Sequence, residues 1–334
     1  MKRIVICLLL LAAAFAVIPG CRKKDKVEPL KVYAIIHEEE TRALLDLFTK
    51  RTGIPAVFLH STTGELVNRV IAEKGKPQGD VILGGASSYH MQLSDMGLLE
   101  QYSSPVASKF PKYALSKDGT WTGFCVLALG IGINEKRYRE KFPGIPEPSS
   151  WEDLLNKAYK GEIVMTNPVA SSTAYLFLQN QLQRLGEERG WKYILELAPL
   201  VGQFPESGSA PAKLIGTGEY ALGISYLHAL AKYAHEGFGV KAIPVARSVG
   251  DVDCISIIKG SGKIDESRKF VDFILSREAQ ELMSGISFTT PVDPNCSVPD
   301  GCVDIGKLDL MEYDADKASS EREAVLAKWT KEAR

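Results

Sequence analysis

Short apolar runs alternate with helical patterns along most of this chain, and that alternation limits the possible fold more than any other feature. Residues 31–36, 54–59 and 80–83 are predicted strands, and after each one apolar residues recur at helical spacing. Strands separated by helices favour a largely parallel sheet with helices packed on its faces. We therefore predict an α/β fold.

Two longer apolar runs interrupt the alternation. Residues 123–134 have a length that suits a strand crossing between two lobes, and residues 251–259 form a second run that would lead back. The chain has 334 residues, and removal of a leader at residues 1–20 leaves enough for one large domain or two lobes of ordinary size. Two lobes joined by two strands are the arrangement that these runs favour.

Three predicted strand-to-helix junctions share one chemistry. Residues 60–64, 84–88 and 167–173 are rich in glycine and in hydroxyl side chains. In the first junction Thr62 and Glu65 fit a capping box. Free N–H groups at a helix start, together with the helix dipole, attract anions. One such junction is weak support for an anion site, but three in an alternating β/α chain make it the favoured interpretation.

The third junction lies in the stretch around which the second half of the chain is organised. Residues 163–165 are a short apolar strand, Asn167 and Pro168 turn the chain, and Ser171, Ser172 and Thr173 open an apolar helix. In open α/β folds, ligands bind at the carboxyl edge of the sheet, where such loops lie. The alternative for Ser171 or Ser172 is that it only caps the helix.

The chain begins with an export signal. Lys2 and Arg3 precede an apolar segment at residues 4–18, which is too short for a stable membrane span. The following Ile-Pro-Gly-Cys resembles a bacterial lipobox, which would make Cys21 the lipidated first residue of a protein exported to the cell envelope. We predict a signal peptide at residues 1–20 and a polar tether at 21–30; ordinary cleavage to a free protein is the alternative.

Charge and cysteine content exclude other classes of protein. Lys plus Arg total 40 and Asp plus Glu total 41, so no global charge indicates a nucleic-acid partner. Cys296 and Cys302 lie close together in a turn-rich run, and an exported protein would join them in a small disulfide loop. Cys125 and Cys254 could pair if their strands are neighbours, or be two buried thiols.

Motifs spread over almost the whole mature chain resemble those of bacterial ABC-importer solute-binding proteins, in the group that binds ferric iron, hexose phosphates or phosphonates. The resemblance lies in STTGELVNRVIAEKGKPQGDVILGG, GIGIN, SSWEDLL, GEIVMTNPVASSTAY, GSAPAKLIGTGEYALGISYLHA and FVDFILSREAQEL. It implies a type II two-lobed periplasmic binding protein fold, with residues 31–125 and 251–285 in lobe 1 and residues 126–250 and 286–334 in lobe 2. It also implies a monomer that delivers solute to a membrane permease with its ATPase, without catalysis or a cofactor.

The resemblance also assigns ligand-binding residues. Relative to the hexose-phosphate group, His228 matches a histidine, Ala229 replaces an aspartate, and Asp251 stands where a glutamate is expected. The phosphate end of the site is kept, so we expect a small anionic solute that carries a phosphate or phosphonate. The predicted ligand-binding residues are His37, Thr62, Thr63, Gly64, Gly85, Ala86, Ser171, Ser172, Thr173, Tyr226, His228 and Asp251.

Ferric iron is the alternative ligand. Iron-binding members of the group use two adjacent tyrosines, a histidine and a glutamate. Here His37 resembles the histidine and Tyr226 the first tyrosine, but Leu227 stands at the second, and Gly85 or Ala86 stands near the glutamate. One tyrosine and one histidine make a poor cage for a hard cation, so no metal site is predicted.

Enzyme signatures are missing from the sequence. Neither a G-x-S-x-G elbow nor an H-E-x-x-H metal motif is present, although serines, His228 and Asp251 could be assembled on paper as a hydrolase triad. His37 and the acidic residues 38–40 are interpreted as one histidine followed by solvated acids at a helix start. We therefore expect a binding protein and not an enzyme.

Overall fold

The computed structural model describes residues 28–333 of the chain. The predicted signal peptide, Cys21 and most of the predicted tether lie outside the described residues. Within the described part, no helix combines the length and the apolar character that a membrane crossing requires. The described chain alternates strands and helices, as the sequence predicts.

The strands join in a single mixed sheet, whose central order is β2-β1-β3-β10-β5-β8-β6-β7. Their bounds in chain order are β1 (Leu30–Ala34), β2 (Ala56–His60), β3 (Val81–Ala86), β4 (Leu99–Glu100), β5 (Trp121–Asn134), β6 (Ile163–Val164), β7 (Val201–Gln203), β8 (Leu222–Tyr226), β9 (Val240–Pro244), β10 (Ser248–Ile258), β11 (Thr290–Pro291) and β12 (Leu310–Met311). Strands β1, β2 and β3 are parallel, as are β6, β7 and β8.

The helices cover the faces of this sheet. Their bounds are α1 (Glu38–Thr52), α2 (Thr63–Ala72), α3 (Ser87–Asp95), α4 (Glu135–Lys141), α5 (Ser172–Leu185), α6 (Glu187–Leu197), α7 (Ala210–Gly216), α8 (Leu227–His235), α9 (Ile264–Leu275), α10 (Arg277–Ser287), α11 (Ala315–Ser320) and α12 (Arg322–Glu332).

Strands β5 and β10 connect two lobes. The first part of β5, from Trp121 to Ala128, pairs with β10, and its second part, from Leu129 to Asn134, pairs with β8 and β9. Strand β10 also pairs with β3, so it returns the chain to the β1–β3 side. These are the two long strands that the sequence predicts; β5 is buried throughout and β10 is mostly buried, as expected where both faces of the sheet are covered.

Helix α1 positions Glu40 on its buried face. It starts with three acidic residues, which suit the positive end of the helix dipole, and stops at Gly53 with a positive φ of 73°. Its buried face carries Leu44, Leu45 and Phe48, and the Phe48 ring meets Phe270 at 5.0 Å between centroids. Glu40 lies on the same buried face, so it is not one of the solvated acids that the sequence suggests.

The C-terminal segment contacts both lobes. Strand β11 pairs with β5 at Cys125 and Val126, and α11 packs against α3 of the first lobe. Trp329 on α12 instead packs against Phe204 of the second lobe, with ring centroids 5.4 Å apart. The lobe boundaries given by the sequence, which place residues 286–334 in lobe 2 alone, stay a prediction.

The structure corrects the cysteine prediction. Cys296 and Cys302 are free thiols, because each faces a different part of α10: Cys296 Sγ lies 4.0 Å from the Arg277 carbonyl oxygen, and Cys302 Sγ lies 3.6 Å from Ser284 Oγ. Cys125 and Cys254 are also free and buried, as one of the two sequence alternatives predicts. Their strands are neighbours, but Cys125 stands opposite Asp253 and not opposite Cys254.

Candidate functional site

A cavity of about 520 Å³ lies between the two lobes, at the junctions that the sequence singles out. Residues of α1, α2, β5, α5, β8 and β10 and of the loops beside them form its wall. The predicted site residues that line it are His37, Thr62, Thr63, Ser171, Ser172, Thr173, Tyr226 and His228. Four other predicted residues are absent from the wall: Gly64, Gly85, Ala86 and Asp251.

The start of α5 presents donors to this cavity. Ser171 precedes the helix in extended conformation, and its side chain caps no backbone group. The first backbone bond of the helix runs from Tyr175 N–H to the Ser171 carbonyl, so the N–H groups of residues 172–174 have no backbone acceptor in the described chain. The Ser171 hydroxyl is buried and also lacks a protein partner in residues 28–333. Unsatisfied donors at a helix start are chemically suited to bind an anion.

Asn167 holds the loop in front of α5 in this shape. Its carbonyl accepts hydrogen bonds from the N–H groups of Ala170 at 3.1 Å and Ser171 at 3.0 Å. Its side-chain oxygen accepts from Val169 N–H at 3.1 Å. The Asn167-Pro168 turn therefore satisfies the loop's own donors and leaves those of the helix free.

The start of α2 faces α5 across the cavity. Thr62 and Glu65 form the predicted capping box, with Glu65 N–H donating to Thr62 Oγ1 and Thr62 N–H to the Glu65 carboxylate. Gly64 N–H donates to the Ala170 carbonyl at 3.1 Å. This bond ties the α2 junction to the α5 loop, so the amide of Gly64 is occupied by the opposite lobe and is not open to a ligand.

The start of α3 is closed by the protein's own carboxylates. Gly84 and Gly85 have φ values of 96° and 92°, which only glycine adopts readily. Gly85 N–H donates to Asp253 Oδ1 at 2.8 Å, and Ala86 is buried at the helix start. Asp251 lies beside Ser87 on the wall of a second cavity, of about 1020 Å³. Gly85, Ala86 and Asp251 are therefore not brought to the predicted cleft.

Two carboxyl groups in the cleft were missed by sequence reasoning. Asp253 and Glu40 both line the cavity. Burial raises the pKa of Asp253 to about 6, although the hydrogen bond from Gly85 N–H opposes the shift. Burial raises the pKa of Glu40 to about 7, with a contribution from Asp253. A polar residue on the apolar face of α1, four positions before Leu44, was the available signal for Glu40.

Tyr226 and the two histidines are uncharged polar groups on the cavity wall. The rings of Tyr226 and His228 stack, with centroids 5.5 Å apart. Burial lowers the pKa of His228 to about 3, and it also lowers the pKa of His37, with help from Lys232. Burial and the nearby Asp253 raise the pKa of Tyr226 well above its usual value. At neutral pH these three side chains offer hydrogen bonds and no charge.

Comparison with known proteins identifies the class of protein to which this chain belongs. Residues 76–307 match the family described as bacterial extracellular solute-binding protein, and the chain belongs to that family. An uncharacterized protein of Haemophilus influenzae is 30% identical over 337 residues, covering 97% of this chain and 95% of that protein. The chain is therefore an exported solute-binding protein of ABC transport, which binds a small solute and works with a permease and an ATPase.

Solved structures show the same two-lobed fold. The periplasmic binding protein P5PA aligns with a TM-score of 0.87 at 31% identity, covering 92% of this chain and 100% of that one. AfuA from Actinobacillus pleuropneumoniae, solved with fructose-6-phosphate bound, aligns with a TM-score of 0.88 at 29% identity over 91% of this chain and 98% of that one. A ferric binding protein from Campylobacter jejuni has a TM-score of 0.78 at 19% identity, over 90% of this chain and 98% of that one, and shares the fold alone.

Proposed function

We propose that this protein captures a small solute carrying a phosphate or phosphonate group in the cleft between its lobes. The observation that carries the proposal is the start of α5: Ser171, Ser172 and Thr173 line the cavity, and within residues 28–333 the N–H groups of residues 172–174 and the buried Ser171 hydroxyl have no protein acceptor. A tetrahedral anion with several acceptor oxygens satisfies all of these donors at once.

Closure of the two lobes is the proposed means of capture. The α5 donors belong to the second lobe, whereas Thr62 and Thr63 at the start of α2 belong to the first and line the same cavity. An anion held by one helix start attracts the donors of the other, so it favours the arrangement in which Gly64 N–H bonds to the Ala170 carbonyl. The closed, liganded protein then docks on its permease.

Names of relatives support the ligand class. A putative 2-aminoethylphosphonate-binding periplasmic protein of Salmonella typhimurium is 24% identical over 255 residues, 74% of this chain and 72% of that protein. AfuA was solved with a sugar phosphate. Both of these ligands end in a tetrahedral oxyanion, which is the group that the start of α5 fits.

Ferric iron is the second candidate, because His37 and Tyr226 line one cavity. Two observations weigh against it. Within residues 28–333, no three His, Cys, Asp or Glu side chains are grouped to hold a metal ion. Burial also raises the pKa of Tyr226, which disfavours the tyrosinate form that binds ferric iron. A visible charge-transfer band that disappears in Tyr226→Phe would establish iron as the ligand instead.

Two measurements test the phosphate proposal. Native mass spectrometry of protein purified from its host is expected to detect an organic phosphate or phosphonate. A thermal-shift panel of sugar phosphates, phosphonates, citrate and ferric salts is expected to raise Tm only with the first two classes. A shift with ferric salts or citrate and none with any phosphate or phosphonate would contradict the proposal.

We also propose that the protein is a monomeric lipoprotein that carries its solute without transforming it. Cys21, which lies outside the described residues, would bear the lipid. Wild-type protein is expected in the membrane fraction, and Cys21→Ser in the soluble fraction. Equal distribution of the two proteins would exclude the anchor, and mass spectrometry showing a converted ligand after incubation would exclude a purely binding role.

A further inference from the structure

Among residues 28–333, no lysine or arginine lines the cavity that is proposed to bind an anion. Its charged lining is entirely acidic: Glu38, Glu39, Glu40, Glu65 and Asp253. Uncharged donors on this wall would therefore hold the anion, and the remainder of the solute would lie near carboxyl groups. A solute that carried only negative charge would be repelled by this part of the wall.

The outer acids already have partners. Glu39 forms an ion pair with Lys232 at 3.3 Å, and Glu38 lies 3.9 Å from both Arg42 and His60. Glu65 serves the capping box of α2. These carboxylates already have hydrogen-bond or ion-pair partners, so they do not require a ligand.

The inner acids, Asp253 and Glu40, are different. Asp253 Oδ1 accepts the Gly85 N–H, and its Oδ2 lies 3.8 Å from the Cys125 thiol; both neighbours are uncharged. Glu40 is buried, and the nearby Ser287 hydroxyl and Lys232 only partly offset the effect of burial on the pKa of its carboxyl group. Neither carboxylate has an ion-pair partner in residues 28–333. Whereas Glu40 is buried, Asp253 is half-buried. A carboxylate that is shielded from water and has no countercharge is costly, and a cation that reaches it is bound strongly.

We infer that the solute is a zwitterion, with its phosphate or phosphonate at the start of α5 and a positively charged nitrogen at Asp253. Tyr226 lines the same cavity as Ser172, Thr173 and Asp253, and all three influence its hydroxyl group, so the helix start and the carboxylate are within reach of one small solute. Glu40 lines the same cavity and interacts electrostatically with Asp253, so a cation bound there would favour the ionised form of both carboxyl groups. This inference rests on the proposed function and narrows it to one class of solute.

Matched ligand pairs test the inference by isothermal titration calorimetry. One pair is 2-aminoethylphosphonate and its isostere propylphosphonate, and the other is glucosamine 6-phosphate and glucose 6-phosphate. We expect the amine to bind more tightly than its partner, by about ten- to a hundredfold, in at least one pair. Asp253→Asn should reduce that ratio to near one and leave the affinity of the neutral partner within about threefold.

Asp251→Asn is the matched control, because it makes the same change in a buried carboxylate two residues earlier that does not line the cleft. It should leave the amine preference intact. Circular dichroism checks that each variant folds, and Glu40→Gln, which should lower the preference less, replaces Asp253→Asn if that variant does not fold.

The outcomes separate the inference from the proposed function. Equal affinity within both pairs, or an amine preference that survives both Asp253→Asn and Glu40→Gln, overturns the zwitterion. If the protein binds only phosphates that contain no nitrogen, the zwitterion inference is also overturned, but the proposed function stands. If no phosphate or phosphonate binds at all, the proposed function fails and the inference fails with it.

Discussion

The starts of α3 and α5 have similar sequences and opposite roles. Each follows a buried strand, and each has small or hydroxyl residues at the turn. At α3 the Gly85 amide donates to Asp253, which comes from a strand 168 residues later in the chain. At α5, no carboxylate of residues 28–333 accepts a hydrogen bond from the N–H groups of residues 172–174, and Ser172 and Thr173 line the cavity. The comparison shows that two helix starts with similar sequences differ in whether the protein's own carboxylates reach them, and the proposed anion site is the one they do not reach.

The start of α2 is only partly occupied by the protein's own groups. Its capping box uses Thr62 and Glu65, and its Gly64 amide bonds to the opposite lobe. It therefore contributes mainly to closure, with Thr63 still on the cavity wall. Each of the following variants alters one of the three helix starts, beginning with the change expected to matter most.

A carboxylate introduced at the start of α5 should compete with the ligand for the free N–H groups there, as the protein's own carboxylate already occupies the start of α3. Ser172→Asp puts a negative charge at the open helix start, so the affinity for phosphate or phosphonate ligands should fall by about a hundredfold or more. Tm should be unchanged or higher, because the charge favours the helix dipole. Titration calorimetry and thermal unfolding measure the two effects, and Ser172→Asn, of the same size and uncharged, is the control. Retained affinity in Ser172→Asp would show that the anion binds elsewhere.

A methyl group at Gly64 should disturb the contact between α2 and the α5 loop. Its Cβ would lie 2.8 Å from the Val169 carbonyl oxygen in the opposite lobe. The lobes would have to separate slightly, so ligand affinity should drop roughly tenfold while the stability of the unliganded, open protein changes little. Gly262→Ala, where a Cβ meets nothing within 4 Å, is the control. Equal affinities for these two variants would exclude closure at this contact.

Asp251, which lies on β10 beside the start of α3, should make the free energy of unfolding depend on pH. Burial raises its pKa in the folded state from 3.8 to about 7. The folded protein therefore holds a proton between about pH 4 and pH 7 that the unfolded chain has lost, and its free energy of unfolding falls as the pH rises through this window. Asp251→Asn removes the effect, so its stability relative to wild type should be higher at pH 8 than at pH 5, by about 1–3 kcal/mol. Thermal unfolding at both pH values measures this, and a difference of opposite sign would refute the assignment.

The smallest effect is expected from the Ser171 hydroxyl at α5. Because it is buried without a protein partner, its removal in Ser171→Ala should lower ligand affinity by about three- to tenfold and leave Tm nearly unchanged. Ser267 on α9 has an equally buried and unpartnered hydroxyl outside the cleft, so Ser267→Ala should change neither quantity. Equal affinity for Ser171→Ala and wild type would remove this hydroxyl from the site.

Much of the fold follows from local patterns. Apolar periodicity indicates the alternating strands and helices, and the length of β5 and β10 indicates their role between lobes. The same patterns bring residues 62–63 and 171–173 to one cavity, because loops at the carboxyl ends of strands lie along one edge of a sheet.

The occupied helix starts could not be predicted from the sequence, because the groups that occupy them come from distant parts of the chain. The amides of Gly64 and Gly85 look as free in the sequence as those of Ser172 and Thr173, but Ala170 and Asp253 occupy them. Asp251 and Asp253 lie two residues apart in one strand, yet Asp251 lines the second cavity and Asp253 lines the cleft, which the strand pattern alone does not predict. Glu40 was interpreted with its exposed neighbours, although its spacing from Leu44 and Phe48 places it on the buried face of α1.

Amide chemical shifts test the central claim most directly. In a ¹H–¹⁵N correlation experiment with inorganic phosphate as the titrant, the N–H signals of residues 172–174 should move downfield more than all others as they donate to the anion. The Gly85 signal should stay in place, because Asp253 already accepts its hydrogen bond. Saturable shifts centred on Gly85 and the start of α3, with residues 172–174 unmoved, would contradict the account.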